Sequence, residues 1–322
     1  MKPRLLVTRW VFPEVLAALE PVFEVVSNQD DAVWEACELA SRAAGCDALL
    51  VVTADRVDAA LLDACPRLRM VATGSVGYNH VDVAACTARG VLVTNTPEVL
   101  TQATADMAWT LLMAAARRVS ESERFLRSGQ WGRWSWDQFL GVDVHGATLG
   151  IVGMGRIGSA VARRARGFDM RILYANRGPS PNEAELGASR LPLPELLAQA
   201  DHVVLVLPYS RETHHLIGEP ELALMKPAAT LVNIARGGIV DDAALARALK
   251  AGRPGAAGLD VYENEPAVDP GLLSLTNVVL TPHIGSATRS SRLGMAMLAA
   301  QNLLARFGGR PPPTPVNPQT LG

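Results

Sequence analysis

Three short segments carry side chains able to move protons and hold anions, and each follows an apolar run of strand-like composition. They are Asn233-Ile234-Ala235-Arg236-Gly237-Gly238, Asp260-Val261-Tyr262-Glu263-Asn264-Glu265-Pro266 and Thr281-Pro282-His283-Ile284-Gly285-Ser286. Arg236 offers a planar fork of donors that matches a carboxylate. His283 can deliver a proton near neutral pH. Glu265 can orient that imidazole and stabilise its protonated form. Asp260, at its own strand end, can accept from a carboxamide such as that of a nicotinamide. Reducing a 2-oxo acid needs such a set: a cation for the carboxylate, a proton donor for the carbonyl oxygen, and a hydride source. Taken singly, each residue is an ordinary surface or packing residue. Their order, and their shared position after a strand, make the set.

The hydride source is implied upstream by Gly153-Met154-Gly155-Arg156-Ile157-Gly158, which follows the apolar run 149–152 and opens a helical pattern. Glycines at these spacings permit a tight turn, close approach of backbone to a pyrophosphate, and close helix–strand packing. The helix N-terminus adds free N–H donors and a positive dipole. Such a loop in isolation is weak evidence; the strand before it and the helix after it favour a dinucleotide over a merely structural turn. NAD sites place an acidic residue about 20 residues beyond the loop to accept from the ribose 2′-OH. Asn176 and Arg177 stand there instead. A carboxylate would repel a 2′-phosphate, whereas Asn plus Arg would attract it, so the expected cofactor is NADP(H), with NAD(H) left open. The alternative is that Arg177 is a solvated loop charge. No metal is expected; a disulfide or a zinc site among Cys37, Cys46, Cys65 and Cys86 is the lesser alternative.

These residues need a frame to position them. Apolar runs at 5–8, 48–52, 70–73 and 91–94 read as buried parallel strands, with helical patterns at 31–44 and 80–88 between them. A long helix is expected over 101–118. A second series places strands at 149–152, 171–174, 202–207, 230–233, 256–259 and 278–280, and helices at 156–168, 193–200 and 241–251. A final helix, 287–307, is long enough to cross back to the first series, and the proline-rich tail 310–318 reads as a docked terminus. The simplest architecture is an α/β chain whose second unit is inserted in the first.

Composition sets the limits. Hydrophobic residues are 49% and charged residues 19% of 322, which supplies real cores and excludes disorder. A net charge of -2 gives no reason to expect nucleic acid or an anionic membrane as partner. No apolar stretch approaches the roughly 20 residues of a membrane span, and the N-terminal apolar run is too short for a signal peptide. The cysteines, Cys37, Cys46, Cys65 and Cys86, form no C-x-x-C pair and read as reduced thiols of a cytoplasmic protein.

With these motifs in place, the sequence resembles the D-isomer-specific 2-hydroxyacid dehydrogenases, and within them the glyoxylate/hydroxypyruvate reductase branch. The likeness rests on Gly74-Ser75-Val76-Gly77-Tyr78-Asn79-His80-Val81-Asp82, Thr104-Ala105-Asp106, the glycine loop, and the three segments running to residue 288. The resemblance implies two doubly wound parallel-sheet domains. A Rossmann cofactor domain, 100–287, would be inserted in a flavodoxin-like substrate domain, 1–99 and 288–322. It further implies that Arg236 binds substrate, that Glu265 pairs with an acid/base His283, and that Asp260 faces the nicotinamide. Val76 and Gly77 would hold the substrate carboxylate through backbone N–H groups, with Ser286 nearby. Thr104, Arg156, Ile157, Leu207, Pro208, Ile234, Ala235 and Gly285 would accompany the loop glycines around the cofactor. A homodimer is implied, with the aromatic segment 131–139 at its interface and Trp136 or Phe139 as candidates to reach the neighbouring pocket. The implied activity is NAD(P)H-dependent reduction of glyoxylate or hydroxypyruvate. Open alternatives are a phosphoglycerate, D-lactate or phosphite dehydrogenase, or a dinucleotide-sensing corepressor-like binding protein.

Overall fold

A computed structural model describes residues 1–321. The chain divides into two compact units, Met1–Leu100 together with the chain from Thr288 onward, and Thr101–Ala287.

The first unit is built on strands β1 (Arg4–Val7), β2 (Glu24–Ser27), β3 (Ala48–Val51), β4 (Met70–Thr73) and β5 (Leu92–Thr94), all parallel, in the order β2-β1-β3-β4-β5. This is the flavodoxin-like order. Strands β3 and β4 are buried along their whole length, which is why they read as continuous apolar runs rather than alternating ones. The edge strand β2 was not expected from sequence. It is four residues long and only half covered, so it carries no apolar run. The helix Arg289–Phe307 packs Ala299, Ala300 and Leu303 into the core formed by Leu5, Val7, Leu50 and Ala72. The tail then docks on the free edge of β5: Val316 N–H donates to Val93 O at 2.8 Å, and Asn317 Oδ1 accepts from Val93 N at 2.7 Å.

The second unit holds β6 (Thr148–Val152), β7 (Arg171–Ala175), β8 (Ser189–Arg190), β9 (His202–Leu205), β10 (Thr230–Asn233), β11 (Ala256–Leu259) and β12 (Val278–Leu280). Their order is β12-β11-β10-β9-β6-β7-β8, every pair parallel. Counted from β6, this is the doubly wound dinucleotide order with one strand added. Its switch point lies between β6 and β9, where such sheets bind ligands at the carboxyl ends of strands. Helix Thr101–Ala116 is anchored over the glycine-loop helix Arg156–Ala165: Trp109 Nε1 donates to Val161 O at 3.1 Å, and its ring stacks on Phe168 at 4.7 Å.

Several boundaries differ from expectation for local reasons. The helix expected to reach residue 118 stops at Ala116, because Arg118 adopts φ 53° and a separate helix, Val119–Arg127, begins. Glu121 holds the Arg118 guanidinium at 2.8 and 3.0 Å and fixes that break. The helix expected from residue 31 starts only at Ala36, since the Asn28 side chain ties both backbone groups of Ala32 into a turn. Strand β9 ends at Leu205, two residues early. Among the described residues no helix is long and apolar enough to cross a membrane.

Candidate active site

The glycine loop joins β6 to helix Arg156–Ala165, and its glycines do different work. Gly153 has φ +100°, and a Cβ there would lie 2.8 Å from the Val206 backbone and 2.9 Å from Leu207 Cβ. A Cβ on Gly158 would lie 2.3 Å from Gly153 O. These two glycines close the turn against β6 and the segment after β9. Gly155 is exposed, and a Cβ on it would meet nothing within 4 Å. Gly155 is also the N-cap of the helix, and that end carries no side-chain cap hydrogen bond. An open, uncapped helix N-terminus beside a glycine fits a pyrophosphate.

Neighbouring side chains hold the turn. Asn176 Oδ1 accepts from Met154 N at 2.8 Å, and Ser180 Oγ donates to Met154 O at 3.1 Å. The Asn176 side chain is thus engaged with the loop backbone, while Arg177 is exposed. Sequence reasoning missed Arg190. Its guanidinium donates to Asn176 O at 3.0 and 3.2 Å and to Arg177 O at 2.8 Å, which brings a second cation to the end of β7. Arg190 sits on a two-residue strand, and no motif in the sequence marks it.

At the carboxyl ends of β10, β11 and β12 stand the three chemically capable segments. His283 Nδ1 lies 2.7 Å from Glu265 Oε2, both side chains about one-third exposed. Burial would raise the Glu265 carboxyl. The His283 hydrogen bond and charge, the Tyr262 N–H at 2.9 Å and the Arg236 charge together hold it below the usual carboxylate range. An ionised Glu265 only accepts, so Nδ1 carries a proton and Nε2 is the ring nitrogen left for substrate. Arg236 is also drawn down by burial, with Glu265 opposing, and remains a cation at neutral pH. Both His283 and Arg236 therefore act on one carboxylate. The loops are pressed together here: a Cβ on Gly237 would fall 1.7 Å from Tyr262 O. Burial pushes the Tyr262 phenol up to about 12, and it donates to Thr281 O at 2.9 Å, so it braces the site as a neutral group.

Asp260 is fully buried. Its carboxylate accepts from Thr281 Oγ1 at 2.7 Å, Ile284 N at 2.8 Å and Gly285 N at 2.7 Å. Three of its roughly four lone-pair positions thus hold the turn that carries His283. His283 itself has φ 52°, a left-handed conformation kept by its N–H to Asp260 O at 2.9 Å. A non-glycine residue held there costs about 1 kcal/mol or more, and such outliers cluster at functional sites. Thr104 is buried beside Gly285, Ile234 and Ala235 are buried at the end of β10, Ile157 and Leu207 are half-buried, and Arg156 and Pro208 are exposed. Ser286 is half-buried just after Gly285.

Val76 and Gly77 belong to the first unit, on the loop after β4. Ser75 Oγ donates to Gly77 O at 2.6 Å and Asn95 Nδ2 to Val76 O at 2.8 Å, so both carbonyls are held within the loop. The aromatic segment leaves Trp131, Trp134 and Trp136 exposed, whereas Phe139 packs on Phe125 with ring centroids 5.1 Å apart.

A glycine turn at an open helix N-terminus and a hydrogen-bonded histidine–glutamate pair, both at strand ends of one doubly wound sheet, fit a class, the dinucleotide-dependent dehydrogenases. Comparison with known proteins gives the family. Residues 109–285 match the NAD binding domain of the D-isomer specific 2-hydroxyacid dehydrogenases. The chain is 51% identical over 326 residues to a glyoxylate reductase of Thermococcus onnurineus, covering 100% of this chain and 98% of that one. A glyoxylate reductase structure from Paecilomyes thermophila superposes with TM-score 0.89 at 35% identity, covering 99% of each chain. An NADPH-dependent glyoxylate/hydroxypyruvate reductase from Sinorhizobium meliloti, solved with NADP and malonate, gives TM-score 0.87 at 37% identity, covering 98% of this chain and 97% of that one. This chain belongs to the D-isomer-specific 2-hydroxyacid dehydrogenase family and is an NAD(P)-dependent oxidoreductase.

Proposed function

We propose that the protein reduces a short 2-oxo acid, glyoxylate or hydroxypyruvate, to its 2-hydroxy acid (the D isomer where the product is chiral), with NADPH preferred over NADH. The observation that carries this reading is the His283–Glu265 pair at 2.7 Å, with Arg236 close enough to depress the same carboxylate. The relatives named above support the substrate class.

The dinucleotide would be held by the backbone from Gly153 to Gly158, by Thr104, Leu207, Pro208, Ile234, Ala235 and Gly285, and by the remaining lone pair of Asp260. When bound, it supplies the hydride. Arg236 binds the substrate carboxylate through its fork, helped by Ser286. His283 holds a proton at Nε2 and donates it to the carbonyl oxygen, while Glu265 keeps the proton on Nδ1 and fixes the ring. Arg236 and His283 together stabilise the negative charge that grows on that oxygen. At the end of β7, Arg177 and the guanidinium of Arg190 make a positive field that suits a 2′-phosphate. The reading includes a homodimer through the second unit, in which Trp131, Trp134 and Trp136 become covered.

Steady-state kinetics with glyoxylate, hydroxypyruvate and pyruvate, each with NADPH and NADH, test it. The expected result is the highest kcat/KM for glyoxylate or hydroxypyruvate with NADPH. His283→Ala should lower kcat roughly 10²–10⁴-fold, the usual worth of general acid catalysis, and leave cofactor affinity near normal. Turnover of none of these acids, or an unimpaired His283→Ala, overturns the reading.

A further inference from the structure

A second cluster of ligating side chains is formed by residues that the mechanism does not use. His214 and His215 are adjacent in sequence, and side chains of neighbouring residues in extended backbone point to opposite sides. Here they do not. His215 has φ 50°, and its N–H donates to Gly238 O at 2.7 Å. That left-handed turn brings the second imidazole round beside the first, with ring centroids 3.9 Å apart and planes 22° from parallel. Glu263 approaches from the loop after β11, placing Oε1 2.9 Å from His215 Nε2. Tyr209 closes another side, its hydroxyl 3.2 Å from His214 Nδ1. Gly238 forms the floor: a Cβ there would press on Tyr209 Cε2 at 3.1 Å and His214 Nδ1 at 3.4 Å.

We propose that His214, His215 and Glu263 form a binding site for one zinc-class divalent cation. One ligand atom from each residue lies within 4.8 Å of the others. Ligands about 2.1 Å from a tetrahedral ion stand about 3.4 Å apart and imidazoles bind in their ring planes, so entry of the ion opens the 2.9 Å His215–Glu263 hydrogen bond by about 0.5 Å and turns the stacked rings out of parallel. Two imidazole nitrogens and one carboxylate oxygen suit zinc, cobalt or nickel, and a single carboxylate offers too few oxygens for calcium or magnesium. Tyr209 Oη or water completes the fourth position.

The consequence is mechanical. His214 and His215 belong to the loop after β9, and Glu263 to the segment that also carries Glu265. Glu263 N–H is itself fixed to Asp242 Oδ2 at 3.0 Å. A cation at this place ties the two loops together and raises the melting temperature, as any ligand specific to the folded state does.

The test uses the full chain stripped with chelator and titrated with Co²⁺, followed by its visible d–d bands, with Zn²⁺ as competitor and bound metal counted by elemental analysis. The expected result is one ion per chain, displaced by Zn²⁺, with a higher melting temperature. His214→Ala and Glu263→Gln should each weaken binding by roughly tenfold or more. The melting temperature of His214→Ala in chelator should match the parent, because His214 is exposed. If Glu263→Gln melts low in chelator, His214→Ala alone decides. Absence of bound ion in the parent, or undiminished binding in His214→Ala, overturns the proposal, the latter by placing the ion elsewhere, such as at the exposed Cys37.

Discussion

Alanine at Gly155 and alanine at Gly158 should fail in opposite ways, although the positions are three residues apart in one motif. At Gly158 the new methyl would sit 2.3 Å from Gly153 O, where ordinary contacts begin near 3.4 Å. About 1 Å must come from movement of backbone, in a part of the core that cannot yield cheaply. Overpacking of this kind costs about 1–3 kcal/mol, and alanine's better helix propensity offsets up to about 1 kcal/mol of that. A net loss of about 1–2 kcal/mol, the middle of the range that remains, should lower the melting temperature of the apo protein by roughly 2–8 °C at 2–4 °C per kcal/mol for a unit of this size. At Gly155 the backbone has φ -87°, which alanine accepts, and the methyl meets no protein atom within 4 Å. Its melting temperature should stay within the change of about 0.5 kcal/mol typical of neutral surface positions. The methyl would instead stand where pyrophosphate oxygens must approach the loop N–H groups. Losing one charge-assisted hydrogen bond of about 1.5–3 kcal/mol weakens NADPH binding roughly 10- to 100-fold. Thermal denaturation of the apo forms and calorimetric titration with NADPH measure both. Parental NADPH affinity in Gly155→Ala, or a parental melting temperature in Gly158→Ala, would refute this division of labour.

Four further outcomes are expected. Glu265→Gln removes the anion that holds His283 Nδ1 at 2.7 Å and leaves a neutral amide in place of a charge-assisted bond, so kcat for reduction should fall about tenfold with NADPH affinity unchanged, and an unimpaired kcat counts against the pairing. Arg236→Lys keeps the charge but loses the fork, so kcat/KM for the oxo acid should fall about tenfold or more while NADPH affinity is unchanged; equal loss in both would place Arg236 outside the substrate site. Asn176→Asp can still accept from Met154 N–H yet adds a negative charge beside the expected 2′-phosphate, so the NADPH-to-NADH ratio of kcat/KM should drop by about tenfold, and an unchanged ratio removes the proposed preference. Asp242, pushed up to about 6 by burial and then by the neighbouring Glu263, Asp269 and Asp241, keeps its proton in the folded state over a range where the unfolded chain has lost it, so stability falls as pH rises from about 4 to 6. Asp242→Asn should gain on the parent across that window by up to about 3 kcal/mol in urea denaturation, and a pH-independent difference would refute the assignment.

What the sequence made legible was whatever leaves a pattern along the chain. Ala48-Leu49-Leu50-Val51 and Met70-Val71-Ala72-Thr73 are buried on both faces, and this continuous apolarity announces parallel strands. Arg236, Glu265 and His283 were legible as a set because each follows such a strand. Residues acting through backbone partners left no pattern. Asp260 binds N–H groups 24 and 25 residues away, Arg190 binds the carbonyls of Asn176 and Arg177, and Asp242 binds the N–H of Glu263. Their partners are main-chain atoms common to every residue type, so only the folded chain shows who holds whom. The same holds for edge strands β2 and β8, whose pairing is set by neighbours rather than by their own composition.

The first unit is made from both extremities of the polypeptide, and the ribosome delivers them at different times. When β1 to β5 have emerged, the apolar surface of Leu5, Val7, Leu50 and Ala72 still lacks Ala299, Ala300 and Leu303, and the rim of β5 lacks Val316. The intervening stretch is contiguous and can mature first. Throughout that interval the nascent amino-terminal sheet presents a greasy plane and an open hydrogen-bonding border, the two features that invite aggregation. A premature stop near the carboxyl terminus would therefore injure the earliest-made portion of the protein and spare the middle.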